Sequence, residues 1–176
     1  MEKAKRNTQT KGCRIILILL AIFWVFPVFS WAGEFKVVRV YDGDTIKAIG
    51  HDIEITVRLV GIDAPETSKN KHEPGQAFSQ SATKYLANLV LNNNVDVKGY
   101  GTDRYHRILG VVFVDGHNVN IEMIKAGLAE VYRGKPAKSL DLDPYWNAET
   151  EAKKAKRGMW ALGDKYTSPK EWRKMR

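Results

Sequence analysis

The chain has 176 residues, of which 44% are hydrophobic, with 28 basic and 20 acidic side chains and a net charge of +8. This length allows one domain with a terminal extension, and the composition excludes a disordered chain because it supplies enough apolar side chains for a core. The single cysteine, Cys13, excludes a disulfide framework within the chain.

The first 32 residues have the layout of an export signal. Basic side chains precede an uncharged run over 15–33, and Pro27 lies near the end of that run. Ser30 and Ala32 supply small residues at the two positions that a signal peptidase reads. We predict cleavage near Ala32 and an exported protein, either secreted or periplasmic. The alternative is a membrane anchor, since 15–33 is just long enough to span a bilayer.

After this leader, strand and helix patterns follow one another in a recognisable order. Strands are predicted at 34–41, 45–49, 53–59, 95–100 and 107–114, and helices at 76–91, 118–127, 144–157 and from Ser168 onward. Three strands, a helix, two strands and further helices are typical of an OB-fold. We therefore predict an α+β, mainly β domain over 33–162, built as a five-stranded OB-fold barrel with about three packed helices.

The basic charge is concentrated towards the C-terminus. Residues 33–150 hold 14 basic and 16 acidic side chains, whereas the residues from Glu151 onward hold nine basic and three acidic ones. This asymmetry indicates a polyanionic partner, although on charge alone a solvated helix face is the simpler explanation. We interpret 163–176 as a basic tail that assists binding and contains no site residue.

Three polar clusters interrupt the strand patterns. They are Asp42-Gly43-Asp44-Thr45, the run Arg58-Leu59-Val60-Gly61-Ile62-Asp63-Ala64-Pro65-Glu66-Thr67, and Asp103-Arg104-Tyr105-His106-Arg107. If the fold brings Asp44, Asp63 and Glu66 together beside Arg58, the three acids would form a hard-cation site of the kind that suits Ca²⁺, next to a phosphate site. A second arginine would let two planar guanidinium groups clamp the phosphate. Each cluster alone also fits a plainer structure: a hairpin turn, a solvent-facing loop or a charged hairpin.

In combination, order and spacing, these clusters resemble the staphylococcal nuclease family. The resemblance extends from about Phe35 to Trp160, and its motifs are Asp-Gly-Asp-Thr, Arg-Leu-x-Gly-Ile-Asp-x-Pro-Glu and Asp-x-Tyr-x-Arg. The segments Asn118-Val119-Asn120 and Ala126-Gly127-Leu128-Ala129 also look like the helix that precedes the last strand in that family.

The resemblance implies roles for nine residues. They are Asp44, Asp63 and the Ala64 carbonyl as Ca²⁺ ligands, Arg58, Glu66 and Arg107 as catalytic residues, and Arg104, Tyr105 and Tyr132 as substrate contacts. Glu66 would also contact the metal through water and would orient or deprotonate the attacking water, while the two catalytic arginines would bind the reacting phosphate. The chain departs from the family at His106, where the best-known member has glycine, and in the loop 68–75.

The implied activity is Ca²⁺-dependent endonucleolytic hydrolysis of DNA and RNA with little sequence specificity. The resemblance implies cleavage of the P–O5′ bond, 3′-phosphate products, a preference for single-stranded or frayed substrates, and a monomer without an obligatory protein partner. The alternative is a non-catalytic OB-fold module that binds single strands. The acids argue against that alternative, because uncompensated carboxylates repel phosphate.

Overall fold

The computed structural model of the protein describes residues 35–68 and 73–175. The predicted leader, its cleavage site and the alternative membrane anchor lie outside these residues, as does the middle of the loop 68–75. Within the described ranges, no helix is both long enough and apolar enough to cross a membrane.

The described part of the chain contains eight strands, four α-helices and one 3-10 segment. In chain order the elements are β1 (Phe35–Asp42), β2 (Thr45–Gly50), β3 (Ile53–Leu59), β4 (Ile62–Asp63), α1 (Ser79–Val90), β5 (Asn94–Thr102), β6 (Ile108–Val114), β7 (His117–Asn118), α2 (Val119–Lys125), β8 (Glu130–Val131), α3 (Asp143–Lys154), a 3-10 segment (Gly158–Lys165) and α4 (Pro169–Lys174).

Five of the strands close into a barrel. β1 pairs antiparallel with β2 and β5, β2 pairs with β3, and β5 pairs with β6. The parallel pairing of β3 with β6, in which Arg58 lies opposite Leu109, completes the circle. The predicted five-stranded α+β barrel is therefore confirmed, and each predicted strand lies within two residues of its observed bounds.

One face of each strand fills the barrel, because successive side chains point to opposite sides of a sheet. Its fully buried strand residues are apolar: Val37, Ile46, Ala48, Val57, Leu59, Val95 and Val112. Gly110 of β6 permits close packing there, since an added Cβ would lie 2.8 Å from Val57 Cγ1 and 2.9 Å from Val97 Cγ1. Helix α1 packs its buried Ala82, Leu86 and Val90 into the same core.

Helix α1 begins at Ser79, three residues after its predicted start, for a local reason. Phe78 has a left-handed φ of 68°, which interrupts the helix. Gln76 instead serves the loop before the helix: its backbone N donates to the Glu66 carbonyl at 2.9 Å, and its side-chain Oε1 accepts from Glu66 N at 3.0 Å. Gln76, predicted as the first residue of the helix, therefore holds the backbone of residues 63–67. This segment carries Asp63 and Glu66 and is called the acidic loop below.

The short strands β4 and β8 were not predicted. They form a two-residue antiparallel pair in which Ile62 lies opposite Val131 and Asp63 opposite Glu130. A pair this short carries no periodic pattern, so the sequence could not reveal it. Its consequence is that the segment carrying Asp63 is attached to the chain 67 positions later.

The C-terminal residues fold back against the domain. Tyr166 Oη donates to Glu130 Oε2 at 2.6 Å, and Gln76 Nε2 donates to the Thr167 carbonyl at 2.7 Å. Ser168 is the N-cap of α4 and Pro169 lies in its first turn, in agreement with the helix predicted from Ser168 onward, and Ser168 and Glu171 also form a capping box. The described residues of the segment interpreted as a basic tail, 163–175, thus contact the domain through Tyr166 and Thr167.

Candidate active site

The first motif forms the turn between β1 and β2. The Asp42 carboxylate accepts a hydrogen bond from Asp44 N at 3.0 Å, and the Asp44 side chain is directed inward, leaving this residue only 3% exposed. Glycine is required at position 43, because an added Cβ would lie 2.7 Å from the Cβ atoms of both Ala64 and Ala82. The turn therefore lies directly against the loop that carries the second motif.

Arg58 joins the two acidic motifs. Its Nη1 donates to Asp44 Oδ1 at 2.5 Å and its Nη2 to Asp63 Oδ1 at 3.1 Å. The second Asp44 oxygen accepts from the backbone N of Ala64 at 3.2 Å. These contacts bring Asp44, Asp63 and Arg58 into one cluster, as the sequence predicts.

The ionisation of this cluster reflects its burial. Burial raises the pKa of Asp44 to about 7, even though Arg58 opposes the shift. Burial alone would lower the pKa of Arg58, but Asp44 and Asp63 outweigh it and hold that pKa above its ordinary value. A cluster with two buried acids and one arginine therefore favours an additional positive charge nearby.

The third motif is a tight turn that leads into β6. Asp103 Oδ1 accepts from the backbone N of Tyr105 at 2.8 Å and of Arg107 at 3.0 Å, and Asp103 Oδ2 accepts from Arg107 Nε at 2.7 Å. His106 has a φ of 60°, the left-handed conformation that glycine adopts most easily and that histidine tolerates better than most residues. Arg104 stacks on the Tyr105 ring, 4.8 Å from its centroid.

The parallel pairing of β3 with β6 brings the second and third motifs together, since Arg107 immediately precedes β6. The result is an open cleft of about 1060 Å³. Eight of the nine predicted site residues line it: Asp44, Arg58, Ala64, Glu66, Arg104, Tyr105, Arg107 and Tyr132. The ninth, Asp63, is 1% exposed and meets the cleft through the arginines that contact it.

Comparison with known proteins agrees with this arrangement. The family model described as staphylococcal nuclease homologue matches residues 56–162. The chain belongs to that family. It is 36% identical over 164 residues to an "Uncharacterized endonuclease" of Haemophilus influenzae, an alignment that covers 90% of this chain and 85% of the relative. It is 35% identical over 169 residues to a "Micrococcal nuclease" of Shigella flexneri, covering 89% of this chain and 90% of the relative.

A third relative is an "Uncharacterized endonuclease" of Escherichia coli. It is 38% identical over 152 residues, which cover 85% of this chain and 90% of the relative. Membership in this family makes the chain a hydrolase of the nuclease class.

Arg173 of α4 also contacts Asp63 and Glu66 of the acidic loop. Its Nη2 donates to Asp63 Oδ2 at 2.7 Å and its Nη1 to Asp63 Oδ1 at 3.0 Å. The same Nη1 also bonds Glu66 Oε1. The hydrogen bonds with Asp63 raise the pKa of Arg173 above its ordinary value, so this side chain is charged. The sequence predicts no site residue in the segment 163–176, yet one of its arginines contacts two predicted site carboxylates.

Glu130 lies beneath this contact. It is 2% exposed and opposite Asp63 in the β4–β8 pair. Burial raises the pKa of Glu130, although the hydrogen bond from Tyr166 opposes the shift. Its Oε1 is buried and has no hydrogen-bond partner among the residues that the structure describes, whereas Oε2 accepts from Tyr166. This buried acid therefore links the acidic loop to the C-terminal segment.

The residues predicted to bind a metal have suitable chemistry. Carboxylate and carbonyl oxygens are the ligands that Ca²⁺ takes. In the described part of the chain, however, no three His, Cys, Asp or Glu side chains converge as a metal centre. The oxygens of Asp63 instead accept hydrogen bonds from Arg58 and Arg173. The shared contact of Arg173 with Asp63 and Glu66 does demonstrate that these two acids converge on a single cationic group.

Sequence reasoning missed two basic residues that line the cleft, Lys135 and Arg173. Lys135 follows Tyr132 in the loop after β8, so a closer reading of that loop could have found it. Arg173 and Asp63 are 110 positions apart, and no local pattern relates them.

Proposed function

We propose that the enzyme is a Ca²⁺-dependent endonuclease that hydrolyses phosphodiester bonds of DNA and RNA with little sequence specificity. The observation that carries this proposal is the convergence of Arg58, Arg107 and Glu66 on one open cleft. The names of the relatives, endonuclease and micrococcal nuclease, support the same class of activity.

In this proposal the two arginines bind the reacting phosphate. Arg58 is held by two carboxylates and Arg107 by Asp103, so both guanidinium groups are oriented before substrate arrives. Negative charge grows on the equatorial phosphate oxygens as the reaction reaches its five-coordinate state. Groups that are already oriented towards that charge stabilise this state more than the ground state, which accelerates the reaction.

Glu66 is the residue proposed to handle the attacking water. Its side chain is 29% exposed and lines the cleft, so water reaches it. We propose that its carboxylate orients this water and accepts its proton as the water oxygen bonds to phosphorus. The P–O5′ bond then breaks and the leaving O5′ takes up a proton from solvent water in the open cleft, so the products carry a 3′-phosphate and a 5′-hydroxyl.

Asp44, Asp63 and the Ala64 carbonyl would hold Ca²⁺, with Glu66 in contact through water. When bound, the ion supplies positive charge that neutralises a phosphate oxygen. The burial of both aspartates supports this assignment, because buried carboxylates either pair with basic side chains, as they do here with arginines, or coordinate metal ions.

The substrate class follows from the exposed aromatic and basic groups around the cleft. Tyr105 is 62% exposed and Tyr132 is 40% exposed, and both line it with Arg104. We propose that Arg104 and Tyr105 contact a terminal phosphate and that Tyr132 stacks on a base. Phosphate contacts carry no base information, and single-stranded or frayed ends expose bases for stacking. The enzyme is proposed to act as a monomer without an obligatory protein partner.

Digestion assays test this proposal. The full chain is incubated with plasmid, single-stranded DNA and RNA, in Ca²⁺ and in EDTA. We expect degradation only in Ca²⁺, with 3′ ends that a polymerase extends only after phosphatase treatment. Glu66→Gln should retain binding and lose cleavage. Binding without cleavage by the unsubstituted protein would support the non-catalytic OB-fold alternative, and full activity in EDTA would exclude the metal.

We also propose that the enzyme is exported after cleavage near Ala32, because basic residues, an uncharged apolar run and small residues succeed one another in 1–32. N-terminal sequencing of protein recovered from the medium or periplasm should begin at Gly33. Recovery of the uncleaved chain in the membrane fraction would support an anchor over 15–33 instead.

A further inference from the structure

The contact between α4 and the acidic loop is a specific one. Arg173 directs both terminal nitrogens at the two oxygens of Asp63, and one of these nitrogens also bonds Glu66. A guanidinium paired with a carboxylate through two nitrogens has a defined geometry as well as charge. The contact therefore has a specific geometry, whereas the exposed lysines of the same segment supply charge alone.

These hydrogen bonds engage both oxygens of Asp63. Oδ1 accepts from Arg58 and Arg173, and Oδ2 accepts from Arg173. An ion that binds Asp63 would therefore have to share these oxygens with a guanidinium or replace one. A divalent cation would also repel a guanidinium that remained within a few ångströms of it.

Arg173 is the arginine that can leave. The Arg58 side chain is 20% exposed and is also bonded to Asp44 at 2.5 Å, within a strand of the barrel. The Arg173 side chain is 39% exposed and belongs to a six-residue helix near the end of the chain. Moving Arg58 would disturb the barrel, whereas moving Arg173 requires only that a six-residue helix undock, and a helix this short is not stable without its contacts to the domain.

The segment before α4 would remain attached when Arg173 leaves. Tyr166 bonds Glu130, and the Thr167 carbonyl accepts from Gln76, so the chain is held immediately before the helix begins at Pro169. A change confined to α4 would therefore leave the rest of the C-terminal segment in contact with the domain.

We propose that Arg173 is an internal competitor for the cation: it neutralises Asp63 and Glu66 in the cation-free enzyme, and it must withdraw before the ion binds. The docked helix thus sets the cation concentration at which the enzyme becomes active. This inference rests on the proposed function, because it assumes that Asp63 and Glu66 belong to the cation site. The coupling is reciprocal, so the cation weakens the docking of α4 by the same factor by which the docked helix weakens the cation.

Calorimetric titration of Ca²⁺ into the full chain, without substrate, tests the competition. Arg173→Gln should bind Ca²⁺ more tightly than the unsubstituted protein, by about 5-fold to 150-fold, the usual range for coupled sites. Lys174→Gln is the matched control, since it removes the same charge from an exposed position on the same helix, and its affinity should change by less than about 2-fold. Equal affinities in the two variants, or weaker binding by Arg173→Gln, would overturn the proposal.

Hydrogen exchange of the unsubstituted protein supplies a second measurement that does not depend on a variant. The backbone amides of Trp172 and Met175, which donate to Ser168 and Trp172 carbonyls, should exchange faster in Ca²⁺ than in EDTA. In Arg173→Gln they should exchange fast in both. Slower or unchanged exchange in Ca²⁺ would contradict withdrawal of the helix.

The experiments distinguish a failure of the competition by Arg173 from a failure of the proposed Ca²⁺ dependence. If the unsubstituted protein binds Ca²⁺ and cleaves DNA, but Arg173→Gln has the same affinity, only the competition is wrong. If neither protein binds Ca²⁺, the proposed metal dependence fails and the competition fails with it.

Discussion

Arg133 forms an ion pair with Glu149, and its Nη2 lies 2.8 Å from Oε1 and 2.6 Å from Oε2 of that carboxylate. Glu149 also accepts from Val131 N at 2.8 Å and from Lys153 Nζ at 2.8 Å. Helix α3 is thereby tied to β8 and to the loop from which Tyr132 reaches the cleft. One largely buried glutamate thus supports a wall of the cleft, although it is not itself among the residues that line it.

Glu149→Gln should therefore destabilise the fold in a pH-dependent way. Burial opposes ionisation, but the bonds from Lys153, Arg133 and Val131 outweigh it and lower the pKa of Glu149 below its ordinary value of 4.5. A carboxyl group whose pKa is lower in the folded state than in the unfolded state stabilises the fold at pH values above its unfolded-state pKa. That contribution is lost as the pH falls through its folded-state pKa. We expect the variant to lose about 1–3 kcal/mol at neutral pH.

Urea denaturation at pH 7 and below pH 4.5 measures this effect. The difference in the free energy of unfolding between Glu149→Gln and the unsubstituted protein should be smaller at the acidic pH than at pH 7. Glu151→Gln, at an exposed position on the same helix, should show little difference at either pH. A difference that is constant with pH would contradict the assigned role of the charge.

The arginines of the cleft allow a direct test of phosphate binding. Arg58→Lys and Arg107→Lys keep the charge but lose the planar pair of donors, so each should lower kcat by on the order of 10²-fold. Because both arginines are proposed to act on one phosphate, the double variant should lose less than the product of the single losses. Steady-state kinetics on a short single-stranded DNA measures this, with circular dichroism to verify folding.

Arg39→Lys is the matched control for these changes, because Arg39 is exposed on β1 and stacks on Tyr41 outside the cleft. Its kcat should be close to that of the unsubstituted enzyme. Two folded single variants at positions 58 and 107 with near-normal kcat would refute the proposed phosphate site.

The close approach at Gly43 predicts a penalty for the smallest possible side chain. In Gly43→Ala the new Cβ would lie 2.7 Å from Ala64 Cβ and Ala82 Cβ, so the turn must move away from the loop and from α1. We expect a loss of about 1–3 kcal/mol in the free energy of unfolding. Activity should fall as well, since this turn carries Asp44.

Gly99→Ala provides the comparison, because its added Cβ would meet only Ile108 Cγ2, at 3.9 Å. Thermal unfolding measures the stability of both variants, and plasmid cleavage measures their activity. Equal behaviour of the two alanine variants would show that the close contact at position 43 does not constrain the site.

The exposed lysines of the C-terminal segment should contribute to binding rather than to chemistry. Lys165→Gln with Lys170→Gln should raise KM and reduce the steepness with which KM increases with salt, because each phosphate contact adds about 0.7–0.9 to that slope. A double change of Lys36 and Lys98 to Gln, on β1 and β5, removes equal charge elsewhere. A selective loss of kcat in the first variant would argue that these lysines take part in the chemical step.

The sequence by itself determined the barrel and the grouping of most site residues. Strand periodicity, glycine-containing turns and the serine cap of α4 are local properties, because they depend on residues within a few positions of one another. The three motifs also lie where strands end or turn, so a correct strand order is enough to bring Asp44, Arg58 and Arg107 to one cleft.

Tertiary structure alone decided how the acids of that cleft are neutralised. The β4–β8 pair places Glu130 opposite Asp63, Gln76 leaves its predicted helix to hold the loop, and Arg173 reaches Asp63 from 110 positions away. Each of these contacts depends on the path of the chain after the barrel has closed. Nothing in the spacing or composition of the separate segments encodes that path, since a charged side chain is equally well satisfied by water until folding brings its partner within reach.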